Sequence, residues 1–389
     1  MPPSWQTKLI HPDIRIPSGY QSLVTPVYRG STTTFANSAS ATDNWRQDKV
    51  GYTYGLFGTP TSMELAARIA DLEHGRHTFL TPGGQGAIAL ICLSHTRAGD
   101  HVLLSDSVYG PNRGLARKVL ARYGVDVDFY PPSIGAGIER WMKPATRLVW
   151  CESPGSVTME VQDVPAIVDA AHRHGALVAL DNTYAAGVYF DAFAHGVDVT
   201  MQALTKYIGG HSDLLLGSVT VRDDAGYERV GSVLQFLGMG VSPDECSLAL
   251  RGMQTLAVRL RALETSTLAV ARWLAGRPEI ERVLHPALPS CPGHEIWQRD
   301  FTGSTSVFSI IFQPRYTRSQ LLGFIDALEL FEIGWSWGGV TSLAVPQFDL
   351  AREQESPRLS SLVRLNIGLE RTEDLIDDLR QALARLGPA

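Results

Sequence analysis

The runs ALVALDNTY (176–184) and DVTMQALTKYIGGHSD (198–213) decide the architecture of this chain. The first is an unbroken apolar run, too short for a helix and closed by Asp181 and a polar turn. Runs of that kind are strands buried on both faces, as in a parallel sheet. The second holds a strand over 198–203 and then delivers Lys206. Working outward, apolar runs at 77–80, 101–105, 125–129 and 147–151 read as further strands. Helical spacing fills the gaps near 84–97, 112–123 and 163–174, and Ser62 to His74 forms an earlier helix stopped by Gly75. The alternation predicts an α/β fold, a mainly parallel sheet with helices on both faces. A strand at 214–222 follows 198–203 with no full helix between them, so the sheet is expected to end mixed.

The flanks differ in character. Residues 1–60 are rich in Pro, Gly, Ser and Thr and read as an extended arm too polar to form a core alone. From Pro243 to Leu274 the pattern is one long helix with Ser242 as its N-cap. Strands near 307–312 and 361–367 follow, with helices at 317–331 and 372–386, which is a smaller α+β arrangement. The expected division is an arm at 1–60, a large domain at 61–255 and a C-terminal domain at 256–389.

Composition narrows the function. The chain is 44% apolar and 19% charged, the balance of a globular protein. Its net charge of -6 argues against nucleic acid or an anionic membrane as a partner, since both need a basic face, while a few local cations can still hold an anionic cofactor. The cysteines Cys92, Cys151, Cys246 and Cys291 form no metal-ligand spacing, and neither do the histidines, so no metal site is expected. With no signal-peptide pattern at the N-terminus and no membrane-length apolar run, a cytoplasmic location is expected.

Ligands of open parallel sheets sit beyond the carboxyl ends of the strands. There the sequence places Asp181, Lys206, Tyr109 (after HVLLSDSVYG) and the Gly83-Gly84-Gln85-Gly86 turn that opens a helix. Each residue type suits pyridoxal 5′-phosphate (PLP). A lysine amine holds the cofactor aldehyde as an imine and later acts as a base. A carboxylate keeps the pyridine nitrogen protonated, and an aromatic ring stacks on the pyridine face. Backbone N–H groups at a helix start suit the phosphate. No GxGxxG or GxxxxGK[ST] pattern competes with this reading.

ALTKYIGGHSDLLLG (203–217), with LDNTY upstream, resembles the Cys/Met-metabolism group of fold-type-I PLP enzymes. ESPGSVTMEVQDVPAI (152–167), VSPDECSLALRGMQTL (241–256), HPALPSCPGHEIWQRDFTGS (285–304) and WSWGG (335–339) resemble its cystathionine β-lyase branch. The resemblance implies that Lys206 is the imine-forming lysine and proton carrier, that Asp181 binds the ring nitrogen and that Tyr109 stacks on the ring. It assigns the phosphate to Gly84, Gln85 and Thr205, with Tyr54 contributed by a neighbouring subunit of a dimer of dimers. It sets Ser336 and Trp337 beside the substrate and gives Arg364 the substrate α-carboxylate. The reaction implied is β-elimination of L-cystathionine to homocysteine, pyruvate and ammonia. Alternatives are another C–S lyase, such as a cysteine desulfhydrase or cysteine-S-conjugate β-lyase, and a catalytically silent PLP-fold regulator.

The chain also departs from the family pattern. Leu56 stands where an arginine is usual, Phe57 is apolar, Ala203 replaces a frequent serine and Thr341 a frequent glutamate. Arg113, one helical turn beyond Tyr109, is a candidate to replace the missing cation and bind the far end of the substrate; the alternative reading is a solvated arginine at a helix start.

Overall fold

The computed structural model describes residues 4–11, 19, 22–353 and 357–387, with the side chains of 357 and 358 left aside. Among these residues lie two sheets. The larger contains β1 (His77–Thr81), β2 (His101–Ser105), β3 (Asp126–Tyr130), β4 (Thr146–Glu152), β5 (Leu177–Asp181), β6 (Val199–Ala203) and β7 (Gly217–Val221). Its order is β1-β7-β6-β5-β4-β2-β3. Strands β2 to β6 pair in parallel, whereas β7 is antiparallel to both of its neighbours. The sheet therefore ends mixed, because β6 turns into β7 through a loop rather than a helical crossover.

Burial on both faces explains the apolar runs. Val102, Leu104 and Trp150 pack with Ile88 and Ile91 of helix 84–95 on one face. Leu103, Val149 and Cys151 pack with Ile167 and Val168 of helix 164–173 on the other. Helix starts follow local chemistry. Pro60 opens helix 60–72, where Ser62 Oγ accepts the Thr59 N–H at 2.8 Å in a capping box. Asp163 caps helix 164–173 by accepting the Ala166 N–H.

The second sheet holds β8 (Ile280–Leu284), β9 (Val307–Phe312), β10 (Leu343–Pro346) and β11 (Leu362–Asn366), all antiparallel in the order β10-β11-β9-β8. Phe308, Ile310, Phe312, Val363 and Leu365 pack on helices 256–275 and 372–384. Val307 and Ile311, on the opposite face of β9, meet Val157, Met159 and Tyr184 of the first unit. That contact carries β11 up to the carboxyl ends of the large sheet.

Several expected elements differ. The helix expected from 243 to 274 is two helices, 243–254 and 256–275, broken at Thr255. Arg259 Nη2 and Thr255 Oγ1 both donate to the Gly252 carbonyl, at 2.8 and 3.2 Å, diverting it from a continuous helix. The helix expected over 317–331 stops at Asp326. Asp378 accepts the N–H groups of Glu329 and Leu330 at 2.9 and 2.8 Å, which holds that segment out of the helix. The helix expected at 112–123 begins at Gly110 and passes from α-helical to π-helical and 3₁₀ turns by Tyr123. Helices 224–237 and 294–300 and strands β8 and β10 were not expected. Among the described residues no helix is long and apolar enough to cross a membrane.

Candidate active site

Adjacent strands β6, β5, β4 and β2 point their carboxyl ends the same way, and β1 runs with them. Their trailing residues line a cavity of about 270 Å³ that includes Gly84, Gln85, Tyr109, Asp181, Thr205, Lys206, Trp337 and Arg364. Ser336 joins them, because its Oγ accepts a hydrogen bond from Lys206 Nζ at 2.8 Å. The structure thus brings together nearly every residue singled out from the sequence.

Lys206 sits on the β6–β7 loop, whose shape is fixed from behind. Arg259, buried, donates to the Tyr207 carbonyl and the Gly252 carbonyl, each at 2.8 Å. Gly210 has φ +72° there, and a Cβ on it would lie 2.1 Å from Arg259 Nη1, so only glycine fits. Burial, then the charge of Arg364, lowers the Lys206 amine to about 8, with Asp181 acting in the opposite direction. Its ammonium also lies 5.2 Å from the Trp337 ring centre.

Asp181 ends β5 and is buried, with Oδ1 accepting the Thr183 N–H at 3.0 Å. Burial raises its carboxyl to about 6, against the opposing bonds from Thr183 and the charge of Lys206. It is a buried carboxylate short of a cation. Glu152 lies beside it in register, at the end of β4. Burial and the neighbouring Asp181 charge push the Glu152 carboxyl well above the usual range. Glu152 accepts the Tyr109 N–H at 2.7 Å and so anchors that turn. Burial, Glu152 and Asp181 raise the Tyr109 phenol and keep it protonated.

Gly83, at φ +91°, turns the chain from β1 into helix 84–95. The first-turn N–H groups of a helix have no partners within it, and the helix dipole favours an anion there. Gly84 lies against Ala203, which a Cβ would meet at 2.8 Å. Gln85 Nε2 donates to the Pro111 carbonyl at 3.3 Å. Thr205 Oγ1 exchanges hydrogen bonds with the Leu216 backbone, both at 3.1 Å, so its proton must turn before it can serve an anion. Arg364, on β11, is buried and donates from Nη2 to the Ser336 carbonyl at 3.1 Å. Burial depresses its guanidinium to about 10.

Two expected residues lie elsewhere. Tyr54 is half-exposed on the arm, outside the cavity of its own chain. Arg113 does not reach the cavity, which corrects the expectation that it meets the substrate. It is buried, bonded to the Asp106 carbonyl at 2.8 Å, paired with the Asp106 carboxylate, and bonded to Glu353 at 2.8 Å. A guanidinium so engaged has no free fork for a ligand. Reading the sequence missed Glu152, Thr183 and Arg259. Glu152 closes the apolar run LVWC just as Asp181 closes ALVAL, so the same signal was present for it.

This donor set fits PLP. A depressed amine suits an aldehyde, a cation-poor buried carboxylate suits a pyridinium, and a glycine-led helix start suits a phosphate. No group of three or more His, Cys, Asp or Glu placed to hold a metal occurs among the described residues.

Comparison with known proteins agrees with that chemistry. The family model for the Cys/Met metabolism PLP-dependent enzymes matches residues 6–384. Cystathionine beta-lyase MetC of Escherichia coli (strain K12) is 42% identical over 340 residues, which is 86% of each chain. Cystathionine beta-lyase of Bordetella avium is 41% identical over 368 residues, covering 92% of this chain and 91% of that one. The crystal structure of metB from Corynebacterium glutamicum matches with a TM-score of 0.90 at 27% identity, covering 99% of both chains. A match across almost the whole length, joined to a cavity with this donor set, places the chain in the Cys/Met-metabolism family of PLP-dependent enzymes.

Proposed function

We propose that the chain is a carbon–sulfur β-lyase that converts L-cystathionine and water to homocysteine, pyruvate and ammonia. One observation carries the reading: the Lys206 amine, lowered to about 8, shares a cavity with the cation-poor Asp181 and the Arg364 guanidinium. Relatives named cystathionine beta-lyase across most of their length support it.

Lys206, Asp181, Tyr109, Gly84, Gln85 and Thr205 would hold PLP, which supplies an electron sink for charge developed at the substrate Cα. Arg364 binds the substrate α-carboxylate through two parallel N–H donors and fixes which Cα bond faces Lys206. The neutral Lys206 Nζ takes the Cα proton. Ser336, which accepts from that nitrogen, holds it on the Arg364 side of the cavity. The departing sulfur takes a proton from Lys206 or from the Tyr109 phenol, which burial and then the neighbouring carboxylates keep protonated. Trp337 covers the Lys206 side and limits water.

A second reading is favoured by Leu215 and Trp335, which are 67% and 75% exposed at the edge of the cavity. That apolar rim suits a cysteine thioether with an apolar S-substituent, as does the apolar pair Leu56-Phe57 on the arm. A panel of cystathionine, cysteine and an S-alkyl cysteine, with pyruvate and thiol both quantified, ranks the readings. Pyruvate from none of them would revive the reading of a silent regulator.

The assembly proposed is a dimer of dimers in which Tyr54 enters a neighbour's cavity; its exposure and its absence from the lining of its own cavity support this. The proposed division into an arm (1–60), a large domain (61–255) and a C-terminal domain (256–389) goes with it. The proposed location is the cytoplasm, consistent with four buried free thiols, and the proposed pathway is methionine biosynthesis.

A further inference from the structure

The turn that carries Tyr109 is held from both units of the chain, by groups that the lyase chemistry does not use. No hydrogen bond to the Tyr109 phenol is formed among the described residues, so the place of the residue at the cavity is held through its backbone. Glu152 takes the Tyr109 N–H. The Tyr109 carbonyl accepts the N–H groups of Asn112 and Arg113 at 2.9 and 3.2 Å. From that same helical turn the Arg113 side chain folds back beneath the loop. Nη2 donates to the Asp106 carbonyl at 2.8 Å and pairs with the Asp106 carboxylate. The Arg113 and Asp106 side chains are only 7% and 8% exposed. The Phe129 ring lies 4.1 Å from the guanidinium on its other side.

The far end of the guanidinium crosses to the segment between β10 and β11. Nη1 donates to Glu353 Oε1 at 2.8 Å, and the Glu353 N–H donates to Asp106 Oδ1 at 3.0 Å. Arg117 pairs with the same glutamate. Glu353 lies between β10 and β11. Next to it, Arg352 pairs with Thr158 and lies 3.6 Å from Glu160, beside the loop that lines the cavity. An exposed ion pair is worth little. This pair is buried, and removing one partner strands the other without a counter-charge.

The geometry points to Arg113 as a positioning residue for catalysis. With Asp106 and Glu353 it forms a clasp that ties the turn carrying Tyr109 to the segment between β10 and β11. The clasp rests on the reading of Tyr109 as the stacking and proton-donating residue. It gives Arg113 a role in kcat rather than in substrate affinity.

The test uses the holoenzyme with Arg113→Ala, Arg113→Lys and Glu353→Ala, reading kcat and KM for L-cystathionine, the visible circular dichroism of the bound cofactor and the melting temperature. Displacing a group that positions the reacting centre predicts a loss in kcat of about 10- to 100-fold for Arg113→Ala. The visible dichroism changes shape, KM stays nearly constant, and Arg113→Lys recovers part of both losses. Glu353→Ala moves kcat and the dichroism the same way by less. A lowered melting temperature with kcat and dichroism unchanged makes Arg113 merely structural and overturns the clasp. A raised KM with unchanged kcat also overturns it, since Arg113 would then act on substrate. If Arg113→Ala does not fold, Glu353→Ala decides alone, and wild-type kcat and dichroism in that variant overturn the proposal. A wild-type protein that makes no pyruvate refutes the lyase reading itself, whereas an active wild type with unperturbed variants refutes only the clasp.

Discussion

Lys206 and Asp181 are shifted toward each other's working range by one cause, burial at the mouth of the sheet. Burial disfavours both charges, lowering the amine to about 8 and raising the carboxyl to about 6. The amine must be neutral to accept a proton, and below its pKa it is an ammonium. The rate of β-elimination is therefore expected to rise with pH through about 8 and then level off. A pH–kcat profile that falls across that interval would contradict the role of Lys206 as base. Asp181→Asn keeps the shape and removes the charge that a ring cation needs. Losing one partner of a buried pair predicts a drop in kcat of about 100-fold or more, checked by steady-state pyruvate release. Candidate site residues were legible where a side chain closes an apolar run or follows it closely, as Asp181 and Lys206 do. Glu152 obeys the same rule and was overlooked. Arg113 was misjudged because its partner Glu353 lies 240 positions away, a separation that local sequence cannot reveal.

The elements that position the site depend on close backbone approaches. The β6–β7 loop bends at Gly210 against the Arg259 guanidinium, whose bonds to the Tyr207 and Gly252 carbonyls leave it no room to retreat. Gly210→Ala therefore predicts a loss of about 1–3 kcal/mol in unfolding free energy, measured by denaturant titration. A variant as stable as the parent would show that the loop is not held from behind. The parallel strands were legible because burial on both faces writes an unbroken apolar run. Strands β8 and β10 were not, being edge strands: IERVL is interrupted by charge and LAVP is short and ends in Pro346. Helix 224–237 escaped because Gly226 and Gly231 weaken its pattern. Gly231 is required by packing, since a Cβ there would lie 2.1 Å from the Trp45 ring. Tertiary contact, not helix propensity, selects that residue.

At the scale of the whole molecule, the apolar surface of one chain is larger than its own fold covers. Leu23 is 92% exposed, Phe236 82% and Trp335 75%. The arm carries Leu23 and Tyr54, so a second copy is expected to bury it and to complete the cavity. Sedimentation is predicted to give a dimer or a dimer of dimers, and activity per chain to fall on dilution below the dissociation range. A monomer that keeps full activity at high dilution would refute the shared site. The arm is read from a lack of periodicity in the sequence, whereas the surfaces that it would meet depend on the folded chain.

All of this chemistry requires that one particular amine, among Lys8, Lys49, Lys118, Lys143 and Lys206, carries the cofactor. Borohydride reduction of the purified yellow protein, followed by peptide mapping, tests this directly. The expected result is a single pyridoxyl-lysine at Lys206 and an Lys206→Ala variant that takes up no label. Label at another lysine, or a protein that stays colourless with added PLP, would contradict the account.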